Sequence, residues 1–366
     1  MSITMQEIAK RLQISTATVS RSLRDDPLVH PETRARVTQL AAAAGYQAKA
    51  RRSRNRKIAD DTIEVPESPS RPDSHNLLGV VLADSAPVYR HGNFMRMLQG
   101  ITSECDAMGI MSSLFFVQSD AAELASPGFP MPDPVVDGRC QAVVVSGRYS
   151  EAILRQLPKQ IPAIVLARRF DEYPSDAVLA DNAAGITALV RRLAAFGHRK
   201  LAFVDDIAPA SFIFERYTGF LGGCEECGIT PADHIRIGKE AYSGTGYEAR
   251  IRPEFVEGVL RTHGTTGFVC ANDWTAYCWL AALEQLGITA PDCVSVTGFD
   301  NDPMPLFATP SYEQRLCTID PNFVEMGRRA VRFAAERTAK PAVHPLRLTV
   351  QGRLIEGATT GPVVSR

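Results

Sequence analysis

Apolar residues between Thr4 and Tyr46 recur at the spacing of three short amphipathic helices. The apolar stripes of these helices are Met5, Ile8, Ala9 and Leu12, then Val19 and Leu23, then Val37, Leu40, Ala41 and Ala44. The pattern predicts a small three-helix domain at the start of the chain.

The predicted ends of these helices carry residues that often cap helices. Thr4 and Glu7 have the spacing of a capping box, Ser15 is a predicted N-cap, Pro31 occupies a first helical position and Gly45 ends the third helix. The second helix leaves its first turn outside the apolar stripe. Such an exposed helix start suits the major groove of DNA, which admits one α-helix, although any other small three-helix domain is the alternative.

From Leu77 onward, short apolar strands alternate with amphipathic helices, which predicts parallel sheets covered by helices on both faces. The predicted strands are LLGVVLA, SSLFFV, QAVVVSG, AIVLAR, KLAFVDD, GFVCAND and VSVTGFD. They group into two α/β units in tandem, and no Pro/Gly-rich linker separates the units. The predicted fold class is therefore an all-α helix-turn-helix headpiece followed by an α/β core of two lobes that enclose a cleft.

Composition divides the chain into a helical headpiece with a basic segment at 1–57, a Pro/Ser/Asp-rich linker at 58–76 and the core at 77–366. Residues 1–57 contain 12 Lys/Arg and 4 Asp/Glu, which gives this segment a net charge of +8. Residues 58–366 contain 28 Lys/Arg and 37 Asp/Glu, which gives a net charge of −9. A basic end on an acidic body is the charge distribution of a protein that binds a polyanion. A basic tail that only aids solubility accounts poorly for the helix-turn-helix beside it.

Several other classes of protein are disfavoured by the sequence. Of the eight cysteines only Cys224 and Cys227 have C-x-x-C spacing, so we expect reduced thiols and no metal site, with a redox-active pair as the weaker alternative. No apolar leader and no apolar run of membrane-spanning length is present, which predicts a cytoplasmic protein. The seven histidines have no evident nucleophile partner and no phosphate-binding or G-x-S-x-G motif occurs, so neither an enzyme nor a cofactor is expected.

The run ISTATVSRSL, followed by VHPETRARV and AGY, resembles the headpiece of the lactose-repressor (LacI/GalR) family of transcription factors. The residues that this resemblance places against base edges are Thr16, Ala17 and Arg21, and those that it assigns to phosphate contacts or helix capping are Ser15, Thr18 and Ser20. Small side chains such as Thr16 and Ala17 suit a thymine methyl group, and Arg21 suits a guanine or a phosphate. The alternative for Arg21 is a solvated charge on the helix.

After Tyr46 this family has a short hinge helix with a leucine that inserts into the minor groove, but Asn55 stands near that position here. We therefore expect this segment to contact DNA mainly through charge, with less kinking of the duplex. The arginines expected to follow phosphates or enter a narrow minor groove are Arg51, Arg52, Arg54 and Arg56. A disordered basic tether is the alternative.

The resemblance continues through the core. Residues 181–204, DNAAGITALVRRLAAFGHRKLAFV, are similar to the family pattern DNxxGxxxAxxxLxxxGHRxIAFI, and ERYTGF, AND and VSVTGFD are three further signatures. The resemblance implies a core built like a periplasmic sugar-binding protein, in which the chain crosses between lobes near Ala177, Ile319 and His344. The implied N-lobe is about 77–177 and 320–344, and the implied C-lobe is about 178–319 and 345–366.

A cleft for a polyhydroxylated or purine-like ligand needs charged hydrogen-bonding groups and an aromatic face. By the resemblance, Arg216 and Asp300 are the charged groups and Asn272 is a neutral amide, unless they serve as a salt bridge or a helix cap. The candidate stacking aromatics, which could equally belong to the core, are Phe94, Tyr247 and Trp274. Arg168 stands where many members of the family have an aspartate. If Arg168 lies beside Arg216, the two arginines would favour an effector that carries a carboxylate or a phosphate. The alternative is that Arg168 pairs with Asp300 or Asp320 in a closed cleft.

These features together predict a sequence-specific DNA-binding transcriptional regulator, and a repressor is the leading form of that prediction. We expect it to bind a two-fold operator as a homodimer and to respond to a small, carbohydrate-like effector held between the lobes. Control by a partner protein, or by no effector, is the alternative. A solute-binding module is a more distant one.

Overall fold

The computed structural model describes residues 4–12, 14–23, 31–43, 76–84, 92–118, 131–147, 151–170, 173–206, 210–244, 250–302, 316–342 and 344–363. The chain divides into two compact units, Met1–Ser68 and Pro69–Arg366. Within the described ranges, no helix combines the length and the apolar character that a membrane span requires.

The helices, numbered in chain order, are α1 Met5–Leu12, α2 Thr16–Ser22, α3 Pro31–Ala43, α4 Gly92–Met108, α5 Asp133–Val136, α6 Glu151–Arg155, α7 Asn182–Ala195, α8 Ser211–Glu226, α9 Pro253–His263, α10 Asp273–Gln285 and α11 Phe323–Ala339. The strands are β1 Leu77–Asp84, β2 Met111–Gln118, β3 Ala142–Gly147, β4 Ala163–Leu166, β5 Asp176–Ala180, β6 Leu201–Asp206, β7 Asp233–Ile237, β8 Tyr242–Ser243, β9 Arg250–Ile251, β10 Gly267–Cys270, β11 Ser295–Thr297, β12 Thr318–Asp320, β13 Arg347–Val350 and β14 Arg353–Ile355.

The first unit contains the three predicted helices, α1 to α3. Its core is formed by one set of apolar residues from all three helices and from the turn after α1: Ile8, Ala9, Val19, Val37 and Ala41, with Leu12, Ile14, Leu23 and Leu40 packed against them. These residues carry the predicted apolar stripes, which confirms the helical period that was read from the sequence. The side chain of the predicted stripe residue Met5 and the predicted third-helix residues Ala44 and Gly45 lie outside the described part of the chain.

The predicted capping box at the start of α1 is confirmed. The Thr4 amide donates to Glu7 Oε2 at 2.8 Å, and the Glu7 amide donates to Thr4 Oγ1 at 3.3 Å. Hydrogen bonds from the backbone and side chain of Thr4 lower the pKa of Glu7. The box therefore satisfies amides that the first turn of a helix leaves without an intrahelical acceptor.

The N-lobe of the second unit is built on a six-stranded sheet with the order β13-β5-β4-β3-β1-β2 and parallel neighbours throughout. Helices α4 and α11 cover one face, and they lie close together because Gly100 and Gly327 stand at their contact. A Cβ at Gly100 would collide with the Val324 carbonyl oxygen, and one at Gly327 would collide with the Met97 carbonyl oxygen. The two glycines thus let the helix backbones meet.

The C-lobe is built on a four-stranded parallel sheet with the order β11-β10-β6-β7. Helices α7 and α8 pack on one face around Phe203 and Phe220, and α9 and α10 pack on the other around Phe268 and Trp279. The predicted fold, with two parallel sheets covered on both faces, is confirmed. This arrangement brings the carboxyl ends of the C-lobe strands to one edge of the sheet.

At two of the three predicted lobe crossings, which the sequence locates only to within several residues, the chain stays in the first sheet slightly beyond the predicted residue. Strand β5 stays in the first sheet as far as Ala180, because Ala180 pairs with Val350 of β13, so the first crossing follows Ala180, within several residues of the predicted Ala177. Strand β13 also belongs to the first sheet, since it pairs with β5, and the assignment of residues 345–366 to the C-lobe is therefore wrong for 347–350. In both cases the strand continues to the end of its hydrogen-bonded ladder before the chain leaves the lobe.

Candidate functional site

The start of α2 is an exposed and well-capped helix end. The Thr18 amide donates to Ser15 Oγ at 3.0 Å, and the two hydroxyl groups lie 2.8 Å apart, which confirms Ser15 as the N-cap. Val19 is buried in the three-helix core, and Thr16 is exposed. The backbone of the first turn is thus held in place while Thr16 remains available to a partner.

The other residues proposed to contact DNA cannot be placed in this way. The side chains of Ala17, Ser20 and Arg21 lie outside the described part of α2. The basic segment, with Arg51, Arg52, Arg54 and Arg56, lies outside the described residues altogether. Their DNA contacts remain predictions.

Arg216 is the best-connected of the predicted cleft residues. It lies on α8 with only 4% of its surface exposed, and each of its side-chain nitrogens donates a hydrogen bond. Nε donates to Asn182 Oδ1 at 3.0 Å, Nη1 to the Ala271 carbonyl at 2.6 Å and Nη2 to Asp300 Oδ1 at 2.9 Å. The guanidinium also lies 3.8 Å from the centroid of the Phe299 ring. Because Ala271 follows β10 and Asp300 follows β11, Arg216 joins the ends of two neighbouring strands.

The turn that follows β11 has an unusual backbone. Asp300 and Asn301 have φ values of +113° and +52°, a backbone region that residues other than glycine rarely adopt. Asp273 contacts the turn, because its Oδ2 accepts a hydrogen bond from the Asp302 amide at 2.7 Å. Its Oδ1 accepts a hydrogen bond from Thr318 Oγ1 at 2.6 Å. Burial, followed by the nearby Asp300 charge, raises the pKa of Asp273 to about 8.

An arginine of the N-lobe also contacts this turn. Arg96, on α4, donates from Nη2 to Asp302 Oδ1 and to the Asp300 carbonyl, each at 2.8 Å, and from Nη1 to the Asn301 carbonyl at 3.3 Å. Burial raises the pKa of Asp302 to about 7, and the Asp300 charge adds to the rise while Arg96 opposes it. The two lobes are therefore in direct polar contact next to the Arg216–Asp300 pair.

A second N-lobe arginine contacts the other end of the same network. Arg169 Nε donates to Glu215 Oε1 at 2.7 Å, and the Arg169 amide donates to Ser211 Oγ at 3.1 Å. Glu215 Oε2 in turn accepts from Asn182 Nδ2 at 2.8 Å, and Asn182 is a partner of Arg216. A continuous chain of hydrogen bonds thus runs from the N-lobe through Arg216 to Asp300.

Sequence reasoning missed Arg96 and Arg169. Arg96 occupies an ordinary polar position of an amphipathic helix, and its C-lobe partners lie about two hundred positions away in the sequence. Arg169 follows Arg168 directly, and nothing in the local pattern distinguishes the two. Only the packing of the lobes identifies the pair that spans them.

The remaining predicted cleft residues have more varied surroundings. Asn272 is the N-cap of α10, since its Oδ1 accepts the Thr275 amide at 2.8 Å. Trp274 is partly buried against the C-lobe core, and Phe94 is 3% exposed within the N-lobe core. Arg168 lies 5.6 Å from the centroid of the Phe170 ring.

Tyr247 lies outside the described residues. The two carboxylates considered as partners of Arg168 each pair with another arginine, Asp300 with Arg216 and Asp320 with Arg353 at 3.3 Å. Placement of Arg168 beside Arg216 remains a prediction.

The C-x-x-C pair lies at the end of α8, and all eight cysteines are free. Burial raises the pKa of the Cys224 thiol to about 11, with the neighbouring Cys227 adding to the rise. A redox-active pair requires an accessible thiolate, which burial disfavours. In the described part of the chain no group of His, Cys, Asp and Glu residues has the arrangement of a metal site.

Comparison with known proteins gives matches to both units. The profile of the bacterial regulatory proteins of the lacI family matches residues 4–49, and that of a periplasmic binding protein-like domain matches residues 190–360. The HTH-type transcriptional regulator GalS of Salmonella typhimurium is 26% identical over 341 residues, which cover 92% of this chain and 90% of that protein. The HTH-type transcriptional repressor PurR of Salmonella newport is 24% identical over 357 residues, which cover 96% and 95% of the two chains.

Solved structures show a similar fold. A complex of the transcriptional regulator CelR with cellobiose has a TM-score of 0.62 and 18% identity, covering 98% of this chain and 99% of that one. The lac repressor dimer bound to operator and the anti-inducer ONPF has a TM-score of 0.61 and 16% identity, covering 99% of this chain and 100% of that one.

Proposed function

Because the chain belongs to the lacI family of bacterial regulatory proteins, we propose that it controls transcription by binding a two-fold operator as a homodimer. It is a helix-turn-helix transcriptional regulator, and we propose that it acts as a repressor. The observation that carries the proposal is the start of α2, where the Ser15 cap fixes the helix and leaves Thr16 exposed. A helix start of this kind can enter the major groove, and a homodimer would present two of them.

Selection of bound duplexes from a random library by the full-length chain, followed by footprinting, tests this proposal. We expect two protected half-sites whose centres are separated by about one helical turn of DNA, or a multiple of it. A footprint restricted to one half-site at saturating protein would contradict binding as a dimer.

A substitution pair tests the role of α2. Thr16→Asp places a negative charge at the first turn of a helix, where the macrodipole favours it, so the headpiece should remain folded. The same charge would repel DNA phosphates, so we expect much weaker binding to the selected duplex. Thr38→Asp, at an exposed position on α3, is the matched control and should have a smaller effect on binding. Equal losses in the two variants would argue against α2 as the reading helix.

For the effector, we propose a small polyhydroxylated molecule held between the lobes near Arg216 and Asp300. Related structures contain such molecules: cellobiose in CelR and ribose in a regulator from Enterococcus faecium. The arginines at the lobe contact support an uncharged ligand, because Arg216 pairs with Asp300, Arg96 with Asp302 and Arg169 with Glu215. A ligand carboxylate would therefore compete with carboxylates that the chain already supplies.

Calorimetry with neutral sugars and the corresponding sugar acids distinguishes the two ligand classes. Heat of binding from neutral sugars alone supports the proposal. Binding of the acids alone would instead favour the earlier prediction, in which Arg168 and Arg216 grip an acidic group. A ligand that prefers one arrangement of the lobes would change DNA affinity through a coupling free energy, which is typically about 1–3 kcal/mol.

A further inference from the structure

We propose that Arg96 and Arg169 form an interlobe latch, which holds the two lobes together through the chain's own charges and keeps the Asp300 turn in place. The latch concerns closure of the lobes rather than DNA recognition, so it goes beyond the proposed function. It rests on contacts within the second unit alone.

In the Arg96 half of the latch, contacts within the N-lobe hold the guanidinium in place. Its guanidinium lies 4.7 Å from the centroid of the Phe323 ring, and Nη2 also donates to Asn93 Oδ1 at 2.6 Å. Both partners belong to the N-lobe helices α4 and α11. A guanidinium fixed in this way loses little freedom when it binds across the lobe contact. Its C-lobe acceptors are two backbone carbonyls and the Asp302 carboxylate.

The Arg169 half uses a different part of the C-lobe. It bonds to Glu215 and Ser211, which lie near the start of α8. Both ion pairs are partly shielded, with side-chain exposures of 26% and 31% for Arg96 and Asp302 and of 18% and 23% for Arg169 and Glu215. Both pairs remain partly open to solvent, so salt should weaken them, although less than it weakens a pair at an open surface.

The two halves of the latch lie next to the Arg216–Asp300 pair. Glu215 precedes Arg216 in the sequence, and Arg96 binds the carbonyl of Asp300 itself. The two halves therefore contact residues on either side of the Arg216–Asp300 pair. Separation of the lobes would pull on both members of that pair, so Arg96 acts as a positioning residue for Asp300.

Hydrogen exchange on the full-length protein tests the latch without any ligand. The Asp302 amide donates to Asp273. Arg96→Met removes three hydrogen bonds to the 300–302 turn, so we expect exchange there to accelerate by at least about tenfold, which is the effect of losing a single charge-assisted hydrogen bond. The radius of gyration from small-angle scattering should rise with it. Arg332→Met is the matched control, because Arg332 pairs bidentately with Glu104 inside the N-lobe. It should leave exchange in the turn unchanged.

Two further variants exclude a general folding defect. Asp302→Asn has nearly the same size as the native residue and, at a pH above the raised pKa of Asp302, removes the negative charge of the ion pair. It should therefore accelerate exchange in the turn, but less than Arg96→Met, which also removes the bonds to two backbone carbonyls. In the double variant the two effects should be less than additive, because each single change already breaks the Arg96–Asp302 ion pair. Arg96→Lys should restore part of the protection, since an ammonium can pair with Asp302 but cannot also reach both carbonyls.

Ionic strength provides an independent test. Raising salt from about 50 mM to about 500 mM shortens the screening length several-fold, so exchange in the turn should accelerate in the native protein but not in Arg96→Met. The latch is refuted if Arg332→Met and Arg96→Met affect the turn equally, or if the Arg96 and Asp302 changes are additive. Loss of DNA binding with the latch intact would instead count only against the proposed function.

Discussion

Replacement of Arg216 by methionine removes the charge at the centre of the C-lobe network while keeping a side chain of similar length. The guanidinium is buried, and it bonds to Asn182, the Ala271 carbonyl and Asp300. Methionine would leave Asp300, which is itself buried, without its ion-pair partner. The variant therefore tests whether this pair holds the ends of β10 and β11 together.

The expected loss is large compared with the stability of a typical domain. Breaking one partner of a buried ion pair costs about 3–5 kcal/mol, because the remaining charge is left uncompensated in a poorly solvated site. Whole domains are stable by only roughly 5–15 kcal/mol. Arg216→Met should thus lower the free energy of unfolding of the C-lobe by about 3–5 kcal/mol, while Asp300→Asn in the same background should recover part of that loss.

Urea unfolding followed by tryptophan fluorescence is a suitable assay. The two tryptophans of the chain, Trp274 and Trp279, both lie on α10, so their emission reports on the C-lobe. Arg261→Met is the control, since Arg261 forms an exposed pair with Glu257 on α9 and its loss should cost less than about 1 kcal/mol.

Two results would refute the reasoning. The first is a loss below about 1 kcal/mol for Arg216→Met, which is the range of exposed ion pairs. The second is simple additivity of the Arg216 and Asp300 substitutions within about 0.5 kcal/mol, which would show that the two side chains are energetically independent.

Three other predictions follow from single contacts. Ser15→Ala should destabilise the headpiece by about 1 kcal/mol in thermal unfolding, because the N-cap of α2 is lost; an unchanged melting temperature would contradict this. Gly219→Ala should destabilise the core, since the new Cβ would collide with the Ala183 carbonyl, whereas Gly222→Ala on the same helix meets nothing and should stabilise it by about 0.5–1 kcal/mol. Burial raises the pKa of Asp273 from 3.8 to about 8, so its ionisation should lower the stability of the native protein as pH rises through that window. Asp273→Asn removes this titration, so in urea unfolding from pH 4 to about 8 the variant should become more stable relative to the native protein as the pH rises. A difference in free energy of unfolding that does not change with pH would contradict the raised pKa of Asp273.

The headpiece and the sheet architecture could be predicted because their signals are local. Thr4, Glu7 and Ser15 are capping residues within one turn of their partners, and a short window is enough to identify them. The alternating strands and helices of the core likewise repeat within about thirty residues. The lobe crossings were less accurate, because the chain leaves a sheet where a ladder of hydrogen bonds ends, and such a ladder depends on a distant strand such as β13.

The candidate site was predicted only in part, for the same physical reason. Arg216 and Asp300 were predicted from a family resemblance, and the structure shows that they pair with each other. Arg96 and Arg169 have no local signal, since each is defined by partners on another lobe. For Phe94 the sequence left both ligand stacking and the core open, and the structure places its ring in the N-lobe core.

Fluorescence anisotropy with the full-length protein tests the central claim most directly. The dissociation constant for a labelled duplex taken from the selection is compared with that for a scrambled duplex of the same composition, at about 150 mM salt. A sequence-specific regulator should bind the selected duplex at least about a thousandfold more tightly than the scrambled one. Equal dissociation constants for the two duplexes, with every candidate sugar and sugar acid added in turn, would contradict the account.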